Sequence, residues 1–306
     1  MPHEAMSHFH PARPAQFRIR RFAYTLSFLI LAVCAATAQS PAAQTPAAQG
    51  SLVAFNAGLE DLPDAPMPQS AAPQSKDSSP AASAEPVTIR ETPLNIAKDQ
   101  AAIWSSPAHI HGRDLKWLIP LGLVTTVAIT ADHQAMSSEV SHDAKFNHDN
   151  VVASDVFTGV LVAIPIGLMG KGQLFKDPHA REAGILGGEA LVDSLVVEQG
   201  MKLIFWRERP LADGAKGKFF QRNAGVDSSF PSAHSALAWS SAAVLAGEYP
   251  AWWQQLGFYS IAAGVSATRV LGQQHFPSDV VVGSAAGWLI GHYVYRKHHK
   301  IRVESY

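Results

Sequence analysis

Residues 235–247, SALAWSSAAVLAG, set the fold class. The run is uncharged, does not alternate apolar with polar residues as a half-buried strand would, and has the length of a helix. Its alanines, serines and glycine let a neighbouring helix backbone approach closely. The same texture recurs in GILGGEAL at 184–191 and VVVGSAAGWLIGHY at 280–293. Working outward, apolar segments of helical length fall at about residues 115–131, 155–170, 183–206, 232–248, 254–271 and 278–295, with polar joints between them. The expected fold is all-α, a six-helix bundle.

The first third of the 306-residue chain reads differently. Residues 18–38, RIRRFAYTLSFLILAVCAATA, run from an arginine-rich start through an apolar stretch to Ala36-Thr37-Ala38, the small-x-small pattern cut by signal peptidases. Residues 1–38 are therefore expected to be an export signal. Cleavage after Ala38 would remove Cys34, the only cysteine, and with it any disulfide or thiolate chemistry. Residues 39–100, rich in Ala, Pro, Gln and Ser, are expected to be a tether, because such a composition buries too little apolar surface to offset ordering entropy. Within the tether, LVAFNAGLEDLPDAPMP (52–68) is more apolar. Residues 101–300 then form the helical domain.

Net charge of −1 gives no reason to expect nucleic-acid binding. Lys171, Lys176 and Arg181 follow the second apolar segment and RKHHKIR follows the sixth, whereas Asp132, Glu139, Asp143, Asp149 and Asp155 follow the first. The positive-inside tendency places the cationic joints in the cytoplasm. A cleaved signal followed by six crossings would reverse that. An early helix that only lies on the membrane, or a bundle exported whole, reconciles the two, and either keeps the segment 209–235 in the periplasm. His133, His142 and His148, with Asp132, Asp143 and Asp149, match no standard ligand spacing and read as a solvated polar loop.

The segment 209–235, RPLADGAKGKFFQRNAGVDSSFPSAHS, is strongly polar between two apolar stretches. It is bracketed by KLIFWRERP (202–210) and PSAH (231–234), and followed by TRVLGQQHFPSD (268–279). Two arginines, a lysine, a serine hydroxyl and the N–H groups of a helix start suit a phosphate, since guanidinium forks match its oxygens and a helix N-terminus is partially positive. His275 is a candidate nucleophile. Asp279, one helical turn on, is placed to accept a ring proton. A second histidine, His234, allows one ring to attack while the other protonates the leaving oxygen.

KLIFWRERP, PSAH and TRVLGQQHFPSD resemble the three motifs of the PAP2 (type 2 phosphatidic acid phosphatase) superfamily, which includes bacterial acid phosphatases, undecaprenyl pyrophosphate phosphatases and vanadium haloperoxidases. The resemblance covers roughly residues 115–295. It implies an all-helical bundle with the site at helix ends, His275 as the nucleophile that becomes phosphohistidine, Asp279 as its partner and His234 as general acid. Lys202, Arg209, Ser232, Ala233 through its backbone N–H, and Arg269 are implied phosphate ligands. Ala233 stands where the family usually has glycine and Thr268 where it usually has serine. The implied activity is hydrolysis of phosphate monoesters or diphosphates, with no metal or cofactor. Apolar helices at or in a membrane favour a lipid substrate such as phosphatidate or a polyprenyl diphosphate, and a soluble bundle would favour small phosphate esters. The alternative is a vanadate-dependent haloperoxidase, against which the short helical domain argues. GAKGK (214–218) is expected to be a mobile lip of the site.

Overall fold

The computed structural model describes residues 87–222 and 224–301. The expected signal at 1–38 and the tether up to residue 86, with its apolar patch, lie outside the described residues. Among the described residues there are seven α-helices and no strand: α1 Thr92–Ser105, α2 Leu115–Gln134, α3 Ala144–Leu174, α4 Pro178–Phe205, α5 Ala233–Glu248, α6 Trp252–Leu271 and α7 Pro277–His298. The all-α expectation holds, with one helix more than the six expected. The extra helix, α1, starts inside the stretch expected as tether. Pro93 opens it, where a missing N–H costs nothing. Gln100 then ties it to α4 by donating to the Asp193 carboxylate at 2.8 Å.

Helix starts are written in the local sequence. Asp143 caps α3 by accepting from the Phe146 N–H, and Asp177 caps α4 by accepting from Ala180. Helix α5 is central, packing on α3, α4, α6 and α7. Its contact with α7 is backbone on backbone. A Cβ on Gly283, Gly287 or Gly291 would fall 2.6, 2.1 and 2.2 Å from the carbonyl oxygens of Ser232, Ala236 and Ser240. That one-turn spacing of glycines is what the small-residue texture of 280–293 encodes. On its other side, Ala238, Trp239, Ala242 and Leu245 pack with Leu161, Ala262 and Val265.

The chain reverses between successive helices from α2 onward. The C-terminal ends of α2, α4 and α6 and the N-terminal part of α3 and starts of α5 and α7 therefore meet at one end of the bundle, joined by bonds such as Ser232 N–H to the Asp279 carbonyl at 3.1 Å. The other end gathers Lys171, Arg181, Lys297 and Lys300. Two helical stretches, Gly112–Glu139 and Ala144–Leu174, are long and apolar enough to cross a membrane. Leu161 and Met136 join the core, but much of the remaining apolar surface faces outward: Trp117, Ile119, Leu123 and Val127 on α2, and Val152, Val156, Val160 and Ile166 on α3, are all exposed.

Candidate active site

Every residue of the three motifs comes to the first of these ends. Lys202 lies in the last turn of α4, which stops at Trp206 in the left-handed conformation (φ 40°). Lys202 is buried and its Nζ is 3.0 Å from Glu198 Oε1, one turn back. After the turn, Arg209 donates from Nε to the Asp227 carbonyl (3.0 Å) and from Nη1 to the Gln274 carbonyl (3.2 Å). Ser232 is the N-cap of α5, its Oγ accepting from the Ser235 N–H, and Ala233 is the first helical residue. The N–H groups of such a first turn have no acceptor in the helix itself, which leaves Ala233 free to meet an anion.

His234 and Arg269 converge on one oxygen. Asp155 Oδ1, from α3, lies 3.1 Å from His234 Nε2 and 3.1 Å from Arg269 Nη1. Arg269 Nη1 also donates to Ser154 Oγ at 3.1 Å. Burial and the Arg269 charge, with Lys202 adding, push the His234 ring below its ordinary value against the opposing pull of Asp155.

His275 is buried, just before α7. Its Nδ1 lies 2.7 Å from the Ser229 carbonyl, so the ring proton goes to the backbone and Nε2 keeps its lone pair. Asp279 Oδ2 is 3.7 Å from Nδ1, beyond hydrogen-bond reach. The acceptor role expected of Asp279 thus falls to Ser229, and Asp279 acts on the ring by charge. Burial, above all, pushes His275 down to about 4, with Asp279 opposing and Arg269 and Arg209 assisting.

Asp279 is instead fully engaged in holding the loop. It accepts from the Phe276 N–H at 2.8 Å, closing the first turn of α7, and from Ser229 Oγ and Arg207 Nη1, each at 2.5 Å. Arg207 was not singled out from the sequence. It is 2% exposed and reaches Asp132 Oδ2 (2.7 Å), Ser278 Oγ (2.7 Å) and the Gly217 carbonyl (3.1 Å). The rings of Phe219 and Phe276 sandwich it at 4.5 and 4.2 Å. Asp132, expected in a solvated loop, is buried and also receives the Ser278 N–H (3.1 Å). GAKGK, expected as a mobile lip, is anchored through the Gly217 carbonyl and through Ala215, which is buried against Phe276 and Met136. Lys216 and Lys218 pair with Asp213 rather than with the site.

The assembled end is a concentration of cationic and neutral donors around two histidines with different partners, His234 beside Asp155 and His275 against the Ser229 carbonyl, with Asp155 the one carboxylate reaching His234 and Arg269. Such a set is suited to a tetrahedral oxyanion, with one ring nitrogen placed for attack and another for proton transfer. No curated protein and no solved structure matches the chain. Residues 184–302, which carry every motif residue named here, match the PAP2 superfamily model, and that match implies a phosphatase or phosphoesterase type of enzyme.

Proposed function

We propose that the protein hydrolyses lipid phosphate monoesters or diphosphates through a phosphohistidine on His275, without a metal in the chemical step. The observation that carries this reading is the Asp155 oxygen held between His234 Nε2 and Arg269 Nη1. It marks a position where the cage accepts an anionic oxygen next to a proton donor. A phosphoryl oxygen takes that position in the substrate complex.

In the first step His234, which takes up a proton as the anionic phosphoryl group binds beside it, gives that proton to the departing oxygen while His275 Nε2 attacks phosphorus and the ester P–O bond breaks. Arg209, Arg269, Lys202 and the Ala233 N–H neutralise the charge spread over the phosphoryl oxygens. In the second step His234, now neutral, takes a proton from water as it attacks phosphorus and breaks the P–N bond, which restores both histidines. The Ser229 carbonyl fixes the ring, and Asp279 stabilises the positive charge that develops on it.

A lipid substrate is favoured because α3 supplies Asp155 to the site and, on the neighbouring positions Val152 and Val156, exposed apolar surface. A phosphate seated in the cage would thus lie beside a surface suited to acyl or prenyl chains. The lysines and arginine of the opposite end, by the positive-inside tendency, favour a site on the outer face of the cytoplasmic membrane. The test is phosphate release from micellar phosphatidate, polyprenyl diphosphate and a soluble aryl phosphate in EDTA, for wild type and His275→Ala. Release from the lipids that disappears in the variant supports the reading. Release that persists in the folded variant, or that occurs only with the aryl phosphate, refutes the histidine mechanism or the lipid assignment respectively.

A further inference from the structure

The end of the bundle away from the motifs holds a second constellation that the chemistry above does not use. Glu182 near the start of α4, Glu248 at the end of α5 and His299 just past α7 converge there. His299 Nδ1 is 3.0 Å from Glu248 Oε1 and 3.2 Å from Glu182 Oε1, and the three atoms lie within 4.8 Å of one another. A fourth group, His179, has Nε2 3.1 Å from Glu248 Oε2. Glu182 and Glu248 are 1% and 0% exposed, while the two histidines are partly open to solvent.

Two features set this cluster apart from an ordinary buried ion pair. Glu182 Oε2 is buried without a hydrogen-bond donor, and Glu248 Oε2, also buried, is met by the His179 ring and not by a cation of fixed charge. Among the described residues no lysine or arginine side chain forms an ion pair with either carboxylate: Lys300 Nζ pairs with Glu91, and Glu182 Oε1 receives only the backbone N–H groups of Lys300 and Ile301, at 2.6 and 3.2 Å. A neighbouring trio, Asp99, Glu189 and His298, has similar geometry but holds Lys297 Nζ 2.6 Å from Asp99. That trio has its cation built in. Two buried carboxylates with no fixed counter-charge are costly, and imidazole with carboxylates at ligand-to-ligand spacing of about 3 Å suits a tetrahedral divalent ion with Zn–N and Zn–O distances of about 2 Å.

We infer that Glu182, Glu248 and His299 form a divalent transition-metal site, of the type zinc fills, that clamps the start of α4 to the ends of α5 and α7. His179, packed on Tyr249, and His299, packed on Tyr295, flank the opening through which the ion enters. The sixteen residues of α5 between Ser232 and Glu248 put the site about 24 Å from the phosphate cage at 1.5 Å per residue. It is a structural clamp and takes no part in hydrolysis.

The experiment uses the untagged full chain in detergent micelles, stripped with chelator and titrated with Zn²⁺ alone, with bound metal and thermal unfolding as readouts. Zinc at a hundred times its dissociation constant is expected to raise the midpoint by roughly 5–10 °C. Glu248→Gln keeps the shape and removes a buried charge, so the metal-free variant should unfold no lower than the wild type while losing one bound zinc and the shift. His299→Asn should lose the same zinc, and Asp99→Asn should keep it. An unchanged zinc count in Glu248→Gln, or a wild-type midpoint indifferent to zinc, overturns the assignment.

Discussion

Replacing Arg207 by methionine removes one side chain and strands two. The guanidinium now lies between two carboxylates, Asp132 at 2.7 Å and Asp279 at 2.5 Å, all three groups being no more than 3% exposed. Deleting one partner of a buried ion pair costs about 3–5 kcal/mol, chiefly because the remaining charge has no water to return to. A folded region of this size loses roughly 2–4 °C of midpoint per kcal/mol, so Arg207→Met should unfold roughly 6–20 °C below wild type. Asp132→Asn leaves Arg207 paired with Asp279 and should cost less. The double variant is the sharper test, because once Arg207 is gone Asp132 is an unpaired charge and neutralising it should restore part of the loss, by about 1–3 kcal/mol of coupling. Thermal unfolding followed by tryptophan fluorescence in detergent micelles at one scan rate reads all three. A drop of less than about 3 °C in Arg207→Met, or losses that simply add in the double variant, would refute the view that Arg207 is the counter-charge around which the loops before α5 and α7 are built.

Gly287→Ala should destabilise by about 1–3 kcal/mol, since its Cβ would sit 2.1 Å from the Ala236 carbonyl, whereas Gly122→Ala, with nothing near it, should be neutral or stabilising; equal effects on the unfolding midpoint would contradict the close α5–α7 contact. His275 is pushed down to about 4 when folded and returns to its ordinary value of 6.5 when unfolded, so the unfolded chain binds the proton first. Stability linked to this ring should be complete above about pH 6.5 and fall by about 3 kcal/mol as pH drops through 4. His275→Gln should lose that acid sensitivity, and an unchanged pH profile in the variant would count against the ring's burial as its cause. Asp155→Asn removes a like charge from the anion position and should tighten inorganic phosphate binding roughly three- to tenfold; weaker binding, measured by calorimetry, would show that Asp155 supports the cage instead of occupying it.

The parts of the site legible in the sequence are those where a side chain acts at a spacing set by one local element. Ser232, Ala233 and His234 are consecutive at a helix start, and Asp279 is the third helical residue of α7, so helix geometry alone brings each to the correct end. What escaped detection depends on contacts made across the chain or by the backbone. KLIFWRERP contains two arginines, and nothing in their spacing tells that Arg207 turns inward while Arg209 stays at the rim. The reason lies in Asp132, whose carboxylate meets Arg207 from 75 residues away. In its own neighbourhood Asp132 is one acid among several histidines and aspartates. The acceptor for His275 is a main-chain carbonyl, and Ser229 would present it whatever its side chain. The additional helix α1 escaped for a related reason: its own pattern is weak, and it is held by Asp99 and Gln100 reaching groups on α7 and α4. Legibility here follows contact distance. Residues whose role is set within one helical turn could be assigned from order and spacing, while the buried counter-charge that determines whether those residues meet at all requires the folded chain.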